Sequence, residues 1–194
     1  MIFILTLLTI INAPGVDLLN KTANRYARAD GIQWSMVSVT HSTIFDETQT
    51  ISVQFIFNAP DTFYYKSDQE EVIGIADTVW VMSKKHQQIQ KRLAESYTSP
   101  IDLIIKWNSR YSLDEFKQEN DGAHYKLTAH EGITPTRLEI ITDKNNRLKK
   151  ISYKDAAEND VSLSIKKERI KRSQAINFFY RNIPRDYKLI DLIE

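Results

Sequence analysis

The chain has no cysteine. That excludes disulfides, thiolate zinc sites and cysteine nucleophiles, and it leaves the compartment open. Glycine is scarce, five residues in 194, and neither GxGxxG nor GxxxxGK occurs, so a glycine-rich phosphate cradle is excluded. Net charge is only +1, so no overall field gathers nucleic acid. Catalytic signals are equally thin. The serines, as in "SVTHS", lack the glycine pattern of a nucleophile elbow. Asp and Glu are scattered without a recognisable acid–base pair. Of the four histidines, His41, His86, His124 and His130, the last two lie six residues apart. In one strand that is about 20 Å, too far for one metal. No cofactor is expected.

The one apolar run, Ile2 to Ile11 in "MIFILTLLTIINAPG", is too short to span a bilayer. It has the length of a signal-peptide core, with Asn12 and Ala13 before a cleavage point, although no Lys or Arg precedes it. The expectation is therefore a leader over residues 1–13, export, and a single domain over 14–194, a length that buries a sizeable core.

Val16, Leu19, Ala23, Tyr26 and Ala27 recur at helical spacing and predict a helix over about 16–30, stopped by Ala29-Asp30-Gly31. Strands follow. "QWSMVSVTH" alternates, and "TISVQFIFN" sets Ile51, Val53, Phe55 and Phe57 against Ser52, Gln54 and Asn58. Pro60 and Asp61 make a turn into "TFYYK". In "DTVWVMS", Trp80 and Met82 share a face. "HQQIQKRLAE" fits a strand or a short helix. "PIDLIIKW" puts Ile101, Leu103, Ile105 and Trp107 on one strand face. Ser112 and Glu115 have capping-box spacing, which predicts a short helix over "SLDEFKQ". "AHYKLTAH", "TRLEIITD", "RLKKISYKD" and "DVSLSIKK" continue as strands, and "INFFYRNIPRDYKLIDLI" supplies one or two more. The basic runs Lys84–Arg92 and Lys166–Arg172 fit solvated strand edges, where lysine discourages pairing between molecules, ahead of a surface that meets anionic headgroups or an acidic membrane partner.

About ten strands joined by short turns, without alternating helices, predict an antiparallel sheet. A sheet of that size curls. The fold class is thus mainly β with some α: a curled antiparallel half-barrel closed by helices.

The order of several weak motifs resembles the outer-membrane lipoprotein carrier family, the LolA-like periplasmic carriers. The matching residues are the front helix, "APDTFYY" (Ala59–Tyr65), "EVIGIADTVWVMS" (Glu71–Ser83) with Trp80 at the family's tryptophan, "SPIDLIIKW", "SLDEFKQ" as the family's short helix, "HYKLTAH" and the closing "INFFYRNIPRDYKLIDLI". Two positions depart from the family. Ala59 stands where its arginine precedes the turn proline, and Ala76 or Asp77 where it has a glycine. The resemblance implies a periplasmic, non-enzymatic, monomeric carrier that takes acyl chains of lipoproteins or related lipids. An inner-membrane donor complex would load it and an outer-membrane acceptor would unload it. The residues expected to line the cavity are Trp34, Val53, Phe55, Phe57, Phe63, Tyr65, Trp80, Met82, Leu103, Ile105, Leu138, Ile140 and Leu163. The alternative on the same apolar concave face is a protein-binding sensor or scaffold module.

Overall fold

The computed structural model describes residues 14–94, 97–171 and 186–193. The expected leader and the segment "INFFYRNIP" lie outside the described residues. The front helix α1 spans Pro14–Ala27, and after it the described residues are mostly strand. In order come β1 (Gly31–Ser42), β2 (Glu47–Asn58), β3 (Thr62–Lys66), β4 (Glu70–Ile75), β5 (Thr78–Ser83) and β6 (Gln88–Leu93). Two single-turn helices, α2 (Asp102–Ile105) and α3 (Trp107–Arg110), interrupt the sheet. Then follow β7 (Tyr111–Glu119), β8 (Gly122–Ala129), β9 (Arg137–Asp143), β10 (Leu148–Lys154), β11 (Asp160–Lys171) and β12 (Lys188–Asp191).

The twelve strands of the described residues form one sheet in the order β12-β6-β5-β4-β3-β2-β1-β11-β10-β9-β8-β7. β12 and β7 end it and do not pair with each other, so the sheet curls without closing. Neighbours are antiparallel except β12, which lies parallel to β6. Parallel neighbours need a long connection, and residues 172–187 separate β11 from β12. The half-barrel closed by helices that the resemblance implies is the architecture observed.

The alternation seen in the sequence sorts the two faces. Val53, Phe55 and Phe57 on β2 are buried while Ser52 and Gln54 face solvent. Val161, Leu163 and Ile165 on β11 are buried likewise. The main core lies on the concave face and runs from Leu19 and Tyr26 of α1 to Tyr125, Leu138 and Ile151 at the far side. A second, small cluster of Ile73, Met82 and Ile89 with Tyr64 and Trp80 sits on the convex face of β3–β6.

"HQQIQKRLAE", open between strand and helix, resolves as a strand, because Ile89 is needed against Met82 in the convex cluster. "PIDLIIKW" is helical, against expectation. Ser99 Oγ accepts from the Asp102 amide at 3.3 Å and donates to Asp102 Oδ2 at 2.5 Å. Ser99 thus closes the turn ahead of α2 onto Asp102, with proline inside it, and Ile101, Leu103, Ile104 and Trp107 are buried at helical rather than strand spacing. "SLDEFKQ" is a strand rather than the expected helix. Ser112 Oγ faces His130 Nε2 at 3.2 Å instead of capping a helix, Thr128 Oγ1 donates to Asp114 and Lys126 pairs with Glu115 across the sheet. A register shift between Leu113 and Glu115 lets Leu113 and Phe116 both reach the core.

The β4–β5 hairpin makes a two-sided prediction. Ala76, one of the two positions where the resembled family carries a glycine, has φ of 53°, the left-handed region that costs an L-residue about 1–2 kcal/mol. Gly74, opposite Phe63, has no room for a side chain, since a Cβ there would lie 2.1 Å from the Phe63 ring. Ala76→Gly should therefore stabilise the fold by about 0.5–1 kcal/mol, and Gly74→Ala should destabilise it by about 1–3 kcal/mol. Urea midpoints at unchanged slope would check both, and shifts of the same sign would contradict this geometry.

Candidate functional site: the covered concave face

The concave face is built around a line of aromatic rings. Trp34, Phe55 and Tyr65 are direct cross-strand partners on β1, β2 and β3, and Phe57 faces Phe63. Tyr26 of α1 meets Trp34 edge-on at 5.4 Å between centroids. Trp34 stacks on Phe55 at 5.4 Å, Phe55 on Phe63 at 6.3 Å, and Phe63 on Tyr97 at 5.4 Å. Five rings thus run from α1 across the sheet to the segment before α2. Each contact lies in the range where aromatic pairs contribute about 0.5–1.5 kcal/mol beyond burial.

Helix α1 lies over this face and touches α2 and β7. Its N-terminal turn can approach closely because residue 15 is glycine: a Cβ there would lie 2.6 Å from the Phe116 ring. Its C-terminal turn is fastened by one carboxylate. Glu168 on β11 accepts from Arg25 Nη2 at 3.0 Å, from the Tyr26 hydroxyl at 2.5 Å and from Trp34 Nε1 at 3.3 Å. The Tyr26 oxygen in turn accepts from the Leu148 amide at 2.8 Å. Burial and the neighbouring Glu168 carboxylate hold the Tyr26 phenol neutral far above its ordinary range. The helix is therefore tied to β1, β10 and β11 through Glu168 and Tyr26.

Polar groups are also turned inward near the other end of the aromatic line. Tyr97 sits among Tyr65, Glu70 and Tyr153. Burial pushes the Tyr153 hydroxyl up to about 12, with Asp155 and Tyr111 adding to it. Burial also raises Glu70, opposed by Arg92. The next residue, Glu71, is on the convex side, where burial raises its carboxyl but Lys66, Tyr64 and Lys84 outweigh it and hold it below the usual carboxylate range.

Where the cover ends, a cavity of about 240 Å³ remains between α2–α3 and the β2–β3 and β4–β5 turns. Its floor is Phe57, Phe63, Tyr97 and Ile105, and its rim carries Asp61, Asp102, Lys106 and Arg110.

No protein-family model and no curated protein matches the chain. Solved structures do. An uncharacterized conserved protein from Thermus thermophilus aligns over 90% of this chain and 98% of its own, with a TM-score of 0.56 at 10% identity. A DUF1329 family protein from Desulfovibrio piger aligns over 86% and 96%, with a TM-score of 0.51 at 12% identity. A LolA superfamily protein from Nitrosomonas europaea aligns over 82% and 94%, with a TM-score of 0.48 at 10% identity. The Thermus and Desulfovibrio proteins share the fold of this chain.

Of the thirteen residues expected to line the cavity, Trp34, Val53, Phe55, Phe57, Phe63, Tyr65, Leu103, Leu138, Ile140 and Leu163 belong to the concave core, and Ile105 packs against it. Trp80 and Met82 do not join them. Pairing puts Val79 and Val81 of β5 on the concave side, so the alternate residues Trp80 and Met82 fall on the convex side with Ile73 and Ile89. The sequence shows that these two share a face but not which face, because both faces of β5 carry apolar residues. Sequence reasoning missed Glu168. It sits in a basic run, and only the strand register, which pairs it with Trp34, brings it under the helix.

Removing Glu168 should loosen the cover. The carboxylate is about 10% exposed and Arg25 about 32%, so the ion pair is worth less than a fully buried one. The lost hydrogen bonds from Tyr26 and Trp34 add to it. Glu168→Ala should cost about 2–3 kcal/mol of stability and Glu168→Gln less. A change below about 0.5 kcal/mol in urea unfolding would show that the helix is held by apolar packing alone.

Proposed function

We propose that the protein is a non-enzymatic, periplasmic carrier of acyl chains, belonging to lipoproteins or related lipids, which it takes onto the concave face beneath α1–α3 and hands on toward the outer membrane. One observation carries this reading: the half-barrel's inner wall is a continuous apolar and aromatic surface whose cover is a separate helix, with an open cavity where that cover stops. In the arrangement described, the wall is filled by the protein's own side chains. Loading a chain therefore means lifting the cover and exchanging helix contacts for lipid contacts. Long chains can offset that loss, because each buried methylene contributes about 0.8 kcal/mol and a sixteen-carbon chain on the order of 12 kcal/mol at most. A carrier needs intermediate affinity rather than maximal affinity, and a cover that competes with cargo for the same wall supplies it.

A second reading has its own observation. Ile44 and Phe45, at the tip of the β1–β2 hairpin, are 73% and 74% exposed. A sensor or scaffold module would use such a tip to touch a protein partner.

Native mass spectrometry separates the two. The full chain, made with its own N-terminus in a two-membrane bacterium and purified without detergent, should carry a bound mass matching a lipid or lipoprotein. A bare protein mass that stays unchanged when phospholipid and lipoprotein are offered would overturn the carrier reading.

A further inference from the structure

The cavity at the end of the cover is more selective than the concave wall as a whole. Its floor of Phe57, Phe63, Tyr97 and Ile105 is apolar, and four charged side chains stand at its rim. They are not equivalent. Lys106 Nζ is 2.7 Å from Asp102 Oδ1, and Ser99 Oγ donates to the other oxygen of the same carboxylate at 2.5 Å. Asp102 and Lys106 thus neutralise each other. Asp61 is exposed to solvent on the β2–β3 turn. Arg110, at the end of α3, lines the cavity, is half-buried, and its guanidinium makes no ion pair or hydrogen bond with a described residue. Among the described residues it is the rim cation whose side chain has neither an ion-pair nor a hydrogen-bond partner, its electrostatic neighbour being the neutral Tyr111 phenol.

From this juxtaposition we propose that the cavity is a binding site for a single-chain acyl carboxylate, with Arg110 holding the carboxylate and Phe57, Phe63, Tyr97 and Ile105 holding the chain. A guanidinium meets a carboxylate through two parallel hydrogen bonds, a geometry that neither an alcohol nor an ammonium group offers. The volume sets the length. At about 240 Å³ the cavity is smaller than the roughly 300–1,000 Å³ of pockets that enclose a drug-sized ligand. The site therefore suits a medium-length chain, or the carboxyl end of a longer one whose tail runs on beneath the cover. The inference rests on the acyl-carrier reading and adds a head-group preference to it.

Calorimetric titration of the full chain with decanoate, decanol and decyltrimethylammonium, each below its micelle-forming concentration, tests it. Decanoate should bind at least about tenfold tighter than decanol, as expected for charge-assisted hydrogen bonds, and the ammonium should bind weakest. Arg110→Gln should remove the advantage of decanoate and leave decanol unchanged. Equal binding of decanoate and decanol, or a variant that keeps the preference, would overturn the site while leaving the acyl-carrier reading standing. Binding of none of the three would overturn both. If the variant does not fold, the ratio of decanoate to decanol on the unaltered chain still decides.

Discussion

One largely buried carboxylate joins the two parts of this molecule. Glu168 gathers Arg25 and Tyr26 from the helix and Trp34 from the sheet, and Tyr26 passes the connection on to the Leu148 amide. Hydrogen bonds to an ionised acceptor are about twice as strong as neutral ones, and they are directional. Apolar contact alone lets a helix slide on a curved wall, whereas this cluster fixes where α1 ends and how it is rotated. The position of the aromatic line follows, since Tyr26 is both a hydrogen-bond partner of Glu168 and the first ring in contact with Trp34.

The wall and the cover have different characters. The strands of the half-barrel are held by continuous ladders, with β1 paired along its length to both β2 and β11. Helix α1 has no such ladder to the sheet. It rests on burial of Leu19, Ala23 and Tyr26, on the close contact of Gly15 with Phe116, and on the Glu168 cluster. A wall bonded through its backbone and a cover bonded through side chains can separate without unravelling the sheet. That asymmetry makes the same apolar surface a core when covered and, in the function proposed above, an acyl-chain site when not. The convex cluster around Ile73, Met82 and Ile89 plays no part in this. It stiffens β4–β6, the arm of the sheet that ends in β12.

Much of the fold was legible because strand alternation is a local property. "TISVQFIFN" and "DVSLSIKK" assign their own buried faces, and the turn at Pro60-Asp61 declares itself through proline. The failures occurred where non-local contacts decided. Ser112 and Glu115 have cap spacing, but β8 offers partners to both Asp114 and Glu115 and wins them for a strand. Ser99-Pro100-x-Asp102 did carry a helix signal, masked by the alternating apolar residues that follow. Most of the wall was readable from alternation, while the sidedness of Trp80 and Met82 was not. Glu168 was invisible for the same reason as every cross-sheet contact: its neighbours are set by register, and here by the shift in pairing near Ser35 and Met36.

If cargo enters by lifting the cover, α1 opens as a unit while the sheet stays paired. Native-state hydrogen exchange tests it most directly, because local and global openings have different free energies. The α1 amides, and the Leu148 amide bonded to Tyr26, should exchange through an opening smaller than the one that exposes β1 and β2, and added lipid should lower it further. Exchange of α1 only at the free energy of global unfolding, in step with the amides around Trp34 and Phe55, would contradict it.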